Sequence, residues 1–212
     1  MAGVEAEHEG DRGLIRLVPG WALFFSMQRI VVTGSESTGK TTLAHDLAAW
    51  LGVPWISEYA RAYAVAKHGL LGPDDVDPIA RGQIAHEDDI IAAAAGDLSY
   101  VVLDTDLMST PVYAEHYYGA APPWIAIEAM RRKGDLYLLA DTDIPWSADG
   151  VRDRPLARRE IHDRFEARLR EIGAAWVAVD GLGSRRLEHA IAAVRGWRAA
   201  CAARAPRPVS GS

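Results

Sequence analysis

The chain has a single cysteine, Cys201, among its 212 residues, so no internal disulfide can form, and no Cys/His cluster at zinc spacing occurs. A cytoplasmic setting is therefore expected rather than a secreted one. Basic residues are also in short supply: 23 Lys and Arg stand against 29 Asp and Glu, a formal charge of −6. A general nucleic-acid binder presents a basic face to the phosphate backbone, so nucleic acid is not an expected partner. No apolar run approaches the ~20 residues that span a bilayer, and no membrane contact is expected. No internal repeat or second core pattern divides the sequence, and its length suffices for one domain with a substantial core.

The two ends read differently from the middle. Residues 1–26 open acidic, with Glu5, Glu7, Glu9 and Asp11, and turn apolar from Leu14 to Phe25; a signal peptide has a basic start and a small-residue cleavage site. They are expected to be a disordered or non-native leader, with the folded domain over residues 27–200 beginning at Met27. The run from Cys201, CAARAPRPVSGS, lacks periodicity and is expected to be a disordered tail over residues 201–212.

What the sequence does contain is the stretch Arg29 to Thr42, RIVVTGSESTGKTT, where a β-branched run becomes a loop reading Gly34-x-x-x-x-Gly39-Lys40-Thr41. A phosphate-binding P-loop needs Gly34 for a turn that a side chain would block and Gly39 for close approach to an anion. The amides of Gly34, Ser35, Glu36, Ser37, Thr38, Gly39, Lys40, Thr41 and Thr42 and the positive end of the following helix then converge on one spot. Lys40 is expected to reach the β- and γ-phosphates of a nucleotide, and the Thr41 hydroxyl to sit on Mg²⁺. The next segment, KTTLAHDLAAWL, places Leu43, Leu47, Trp50 and Leu51 on one helical face, and Gly52 stops it.

Further apolar runs at 53–57, 100–103, 136–140 and 175–179 alternate with helical patterns, which predicts an α/β fold: one P-loop NTPase or kinase domain with a five-stranded parallel sheet and helices on both faces. A helix is expected over 79–95, an irregular aromatic and proline-rich region over 110–130, and a last helix from about Ser184 to Ala200. In such sheets ligands bind beyond the carboxyl ends of the strands, and Glu58, Asp104, Asp106, Asp141 and Asp143 all follow predicted strands.

Asp104, after YVVL, has the form of the carboxylate that holds Mg²⁺ or its water shell. Asp106 is expected on the other side of that loop, facing an acceptor. Phosphoryl transfer to a hydroxyl needs one carboxylate within hydrogen-bond reach of it, and Glu58 and Asp106 both qualify as the base. Arg61 lies one turn from Glu58, as an ion-pair partner or a substrate contact. Arg152, Arg154, Arg158 and Arg159 occupy a polar stretch suited to a lid whose forked donors match phosphate oxygens, with Arg158 and Arg159 weighted toward ordinary surface roles. Tyr113, Tyr117 and Trp124 are candidates for an aromatic wall that stacks on a flat, cationic ring.

With GSESTGKT, SEYAR, VVLDTD and DIPWSADGVR in this order, the chain resembles the kinase domain of NadR-type proteins, from about Ile30 to Gly173. That resemblance implies ATP-dependent phosphorylation of nicotinamide riboside to nicotinamide mononucleotide. It implies ATP at Gly34 to Thr42 and magnesium at Thr41 and Asp104. It further implies an acceptor pocket at Glu58, Tyr59, Arg61 and Asp106, and a lid at Arg152. NadR-type proteins often carry an adenylyltransferase domain ahead of the kinase, and neither that activity nor repression is expected from the residues that precede Met27 here. The readings left beside it are a kinase for another nucleoside or sugar-like alcohol, and a nucleotide-dependent switch with no acceptor.

Overall fold

The structure, a computed structural model, describes residues 27–94, 99–145 and 157–204. Five strands, β1 (Gln28–Thr33), β2 (Trp55–Ile56), β3 (Tyr100–Asp104), β4 (Leu136–Ala140) and β5 (Trp176–Val179), form one sheet in the order β2-β3-β1-β4-β5. Every pairing is parallel, as the near-continuous apolar strands predict. Among the described residues seven α-helices connect and cover them: α1 (Lys40–Leu51), α2 (Tyr59–Lys67), α3 (Val76–Ala93), α4 (Ser109–Tyr118), α5 (Pro123–Arg131), α6 (Arg158–Glu171) and α7 (Ser184–Arg204).

Alternate strand residues go to opposite faces and build two cores. Ile30, Val32, Val102 and Leu138 pack against Leu43 and Leu47 of α1 and Ala190 and Val194 of α7. Val31, Leu103, Tyr137 and Leu139 pack against Val112 of α4 and Ile161, Phe165 and Leu169 of α6. The two-sided covering puts the strand tips, with their polar residues, on one open edge.

Four expectations are corrected. The second strand is two residues long, not five, because Pro54 has no N–H to donate and contributes only its carbonyl, to Val102 N at 3.0 Å. Residues 110–130 are not irregular: they hold α4 and α5, with Pro111 in the first turn of α4 and Pro123 opening α5, positions where the missing donor costs nothing. Alanine-rich α7 runs on to Arg204, so residues 201–204 are helical, not a disordered tail. Trp50 is 44% exposed, with Arg195 stacked over its ring at 5.0 Å, and is no part of the buried face of α1. The expected leader and residues 205–212 lie outside the described residues.

Candidate active site

The loop after β1 takes the shape its glycines predict. Gly34 (φ 134) lies so close to β4 that a Cβ there would sit 2.9 Å from the Ala140 carbonyl oxygen, and Gly39 (φ 74) turns the chain into α1. Ser37 (φ 52) adopts a left-handed conformation without being glycine, a local cost characteristic of a site held by its surroundings. Inside the loop, Thr38 Oγ1 and Lys40 Nζ both donate to the Ser35 carbonyl at 2.8 Å. No acidic side chain of α1 itself occupies its first turn; the carboxylate that reaches this helix end comes from β3.

Register brings Asp104 beside this loop. It pairs with Val32 across β3 and β1, and its Oδ2 accepts the Thr41 hydroxyl at 2.6 Å. Its other oxygen is buried with no partner. Burial raises the Asp104 pKa and the Lys40 charge opposes the rise. Among the described residues no group of three or more His, Cys, Asp or Glu side chains is placed to hold a metal. A divalent ion here fits the other known pattern, in which one carboxylate and one hydroxyl share it with nucleotide phosphates, and the orphaned oxygen of Asp104 suits that role.

Two arginines support the loop from outside, and sequence reasoning gave neither this part. Arg158, at the start of α6, donates to the Ile144 carbonyl at 2.7 Å and to the Ser37 carbonyl at 3.0 Å. Arg186, in the first turn of α7, donates to the Gly181 carbonyl at 2.7 Å and the Asp141 carbonyl at 3.3 Å, and to Thr38 O and the Asp143 carboxylate. Only 8% and 3% exposed, they are not surface residues. A signal existed: Arg186 is in phase with Ala190 and Val194, and Arg158 with Ile161 and Phe165, so each arginine continues a buried stripe. Arg159, by contrast, is an exposed partner of Asp163.

Beside the loop lies a cavity of about 350 Å³ bounded by Glu58, Gln83, Asp106, Tyr113 and Tyr117, with Leu70 and Leu71 on its outer wall. Glu58 precedes α2 and is half-buried. Asp106 is 3% exposed, accepts Met108 N at 3.1 Å and the Tyr137 hydroxyl at 2.7 Å, and burial pushes its carboxyl up to about 7. Tyr113 and Tyr117 stack in parallel, and their hydroxyls reach the phosphate loop, at Gly34 O (3.1 Å) and Glu36 Oε1 (2.6 Å). The segment that carries Leu70 is fastened by Asp75, which accepts Gly72 N at 2.7 Å and the Tyr63 hydroxyl at 3.0 Å and pairs with Lys67.

Four other expected residues, Tyr59, Arg61, Trp124 and Thr42, do not line the cavity. The Tyr59 ring packs on Gly82, where a Cβ would lie 2.0 Å from it, and its amide donates to Gln83 at 3.0 Å. Tyr59 therefore supports the cavity from behind and does not line it. Arg61 is exposed, with its charge felt at Asp104. Trp124 bonds Asp77 at 2.9 Å under Arg81, on the outer side of α3 and away from the cavity. Thr42 is exposed on α1. Arg152 and Arg154 lie outside the described residues.

A family model described as AAA domain matches residues 29–186. The chain is 28% identical over 162 residues to the trifunctional NAD biosynthesis/regulator protein NadR of Escherichia coli (strain K12), an alignment covering 74% of this chain and 39% of that protein. It is 30% identical over 132 residues to the protein of the same name from Salmonella typhimurium (strain LT2), covering 60% and 32%. The chain thus spans less than half the length of these relatives. Two crystal structures of NadR protein resemble the fold: one in complex with NR (29% identity, TM-score 0.64, 80% of this chain and 50% of that one), the other in complex with NAD and AMP-PNP (30%, 0.63, 81% and 49%). A thymidylate kinase from Ehrlichia chaffeensis shares the fold at 16% identity and a TM-score of 0.61, covering 80% of this chain and 97% of that one.

Proposed function

Because the chain belongs to the AAA domain family, matched over residues 29–186, we propose that it is an ATP-dependent kinase that phosphorylates a nucleoside hydroxyl, converting nicotinamide riboside to nicotinamide mononucleotide in NAD biosynthesis. The observation that carries this reading is the cavity of about 350 Å³ sharing its tyrosine wall with the phosphate loop, since a nucleotide switch has no use for an acceptor chamber there. Similarity to a NadR protein crystallised with NR supports the choice of riboside. The cytoplasm, where ATP is made, is the setting this reading assigns.

In this mechanism the amides from Gly34 to Thr42 receive the phosphates and Lys40 leaves the Ser35 carbonyl to meet the β- and γ-oxygens. Thr41 and Asp104 would hold Mg²⁺, which supplies charge neutralisation on the transferring phosphoryl group. Glu58, which lines the cavity and whose charge is felt at Asp104, is the base this reading assigns to the acceptor's proton. Asp106, which also lines the cavity and has Glu87 and Arg29 as its electrostatic neighbours, is assigned to anchoring the acceptor. Arg152 and Arg154 are assigned to a lid over the phosphates, from their place in the sequence.

The experiment is riboside-dependent ADP formation by purified protein, abolished in Lys40→Ala. Turnover insensitive to the riboside but stimulated by another nucleoside in an acceptor panel would reassign the substrate, and turnover indifferent to every alcohol would return the protein to the switch class.

A further inference from the structure

Glu36 is an oddity of the phosphate loop: a carboxylate in a segment whose amides converge on an anion. It is 6% exposed, so water does little to screen it. Its Oε1 accepts the Tyr117 hydroxyl at 2.6 Å, the length of a charge-assisted bond. One turn earlier on the same helix, the Tyr113 hydroxyl donates to the Gly34 carbonyl at 3.1 Å. The two rings lie parallel, 4° apart in plane and 6.2 Å between centroids, and both line the cavity. One side of α4 therefore contributes to the cavity wall through its tyrosine rings and buttresses the loop through their phenol tips.

We propose that the hydrogen bond from Tyr117 to Glu36 couples the two ligand sites, so that nucleotide and acceptor bind synergistically, with Tyr117 a positioning residue for the phosphate loop. An acceptor lying against the ring restrains Tyr117, and a restrained phenol keeps the Glu36 carboxylate at the wall. A polyphosphate on the loop repels the same carboxylate toward the same place. Each ligand thereby stabilises the arrangement the other binds, and the coupling is reciprocal by linkage.

The acceptor arm of the test rests on the kinase reading, and a second arm does not. In titrations of the full chain with Mg²⁺ and AMP-PNP, saturating nicotinamide riboside tightens the nucleotide at least about fivefold. AMP-PNP tightens the riboside by the same factor. Tyr117→Phe, which keeps the ring and removes the hydroxyl, brings that factor to about one. Glu36→Ala does the same, and the double variant loses nothing more. Independently of any acceptor, AMP-PNP alone slows amide exchange over residues 113–118 in the parent chain, and in Tyr117→Phe this response is gone. A parental coupling factor in Tyr117→Phe, or an α4 helix that does not respond to AMP-PNP, overturns the proposal. A riboside that fails to bind while α4 still responds, and does so only with the Tyr117 hydroxyl present, refutes the riboside assignment and leaves the coupling standing.

Discussion

The Thr41 hydroxyl donates to Oδ2 of Asp104 at 2.6 Å, across the seam between α1 and β3, and the second carboxylate oxygen is left buried with no partner. A folded protein keeps such an atom at a cost in stability, because burial disfavours the charged form. The orphan is best understood as the place where a ligand completes the site.

Asp104→Asn is accordingly expected to do two opposite things. It retains an oxygen for Thr41 while removing a buried charge, so the ligand-free variant melts at a higher temperature than the parent at neutral pH. Mg·ATP, which raises the parent's melting temperature by mass action, raises the variant's much less, and kcat/KM falls by about 100-fold or more. Thermal shift with and without Mg·ATP, with EDTA as control, checks both halves.

Asp106 gives a pH signature. Its folded-state value of about 7 lies above the ordinary 3.8, with burial as the main cause, Glu87 adding, and the Tyr137 bond and Arg29 opposing. Between those values the native state binds more protons than the unfolded chain, so stability is greatest below the window and falls as pH rises through about 7. A melting temperature followed from pH 5 to 8 shows the decline. Asp106→Asn, whose amide oxygen still accepts from Tyr137, flattens it.

The two candidate bases separate kinetically. If Glu58 takes the acceptor proton, Glu58→Gln lowers kcat by about 10²- to 10⁴-fold with little change in the acceptor's KM. Asp106→Asn, by contrast, raises that KM more than it lowers kcat. The reverse pattern exchanges the roles.

How much of this was readable beforehand follows from what each feature demands. The phosphate loop was legible because its backbone geometry fixes glycine at two positions, and the structure places Gly34 and Gly39 in left-handed conformations. Asp104 was legible because a strand tip in a parallel sheet has one place to be. The proline content of residues 110–130 reads as irregular chain, yet Pro111 and Pro123 each sit in a first helical turn, where they are compatible with α4 and α5. With that, Trp124 was carried to the far side of α3, and the wall is made by tyrosines one turn apart instead. Arg158 and Arg186 were hidden by their chemistry, since a guanidinium in a helical segment reads as surface unless its phase with the apolar stripe is given more weight than its charge.

Arg186 supplies the sharpest structural prediction. Its guanidinium serves three carbonyls and the Asp143 carboxylate, and one of those carbonyls belongs to Thr38 in the phosphate loop. With that carbonyl drawn outward, the loop is free to turn its amides toward an anion. Arg186→Met keeps the packing of the stem against α7's neighbours but strands these oxygens, a loss of about 3 kcal/mol given the charged donor and the buried acceptors. Urea denaturation reads this as a lower midpoint with an unchanged slope. If the arginine only stabilised the fold, ATP would still bind the folded variant as before; because it shapes the loop, KM for ATP rises at temperatures where the variant is fully folded, while KM for the acceptor moves far less. Arg186→Lys does not rescue it, since one ammonium cannot span acceptors arranged around a planar fork.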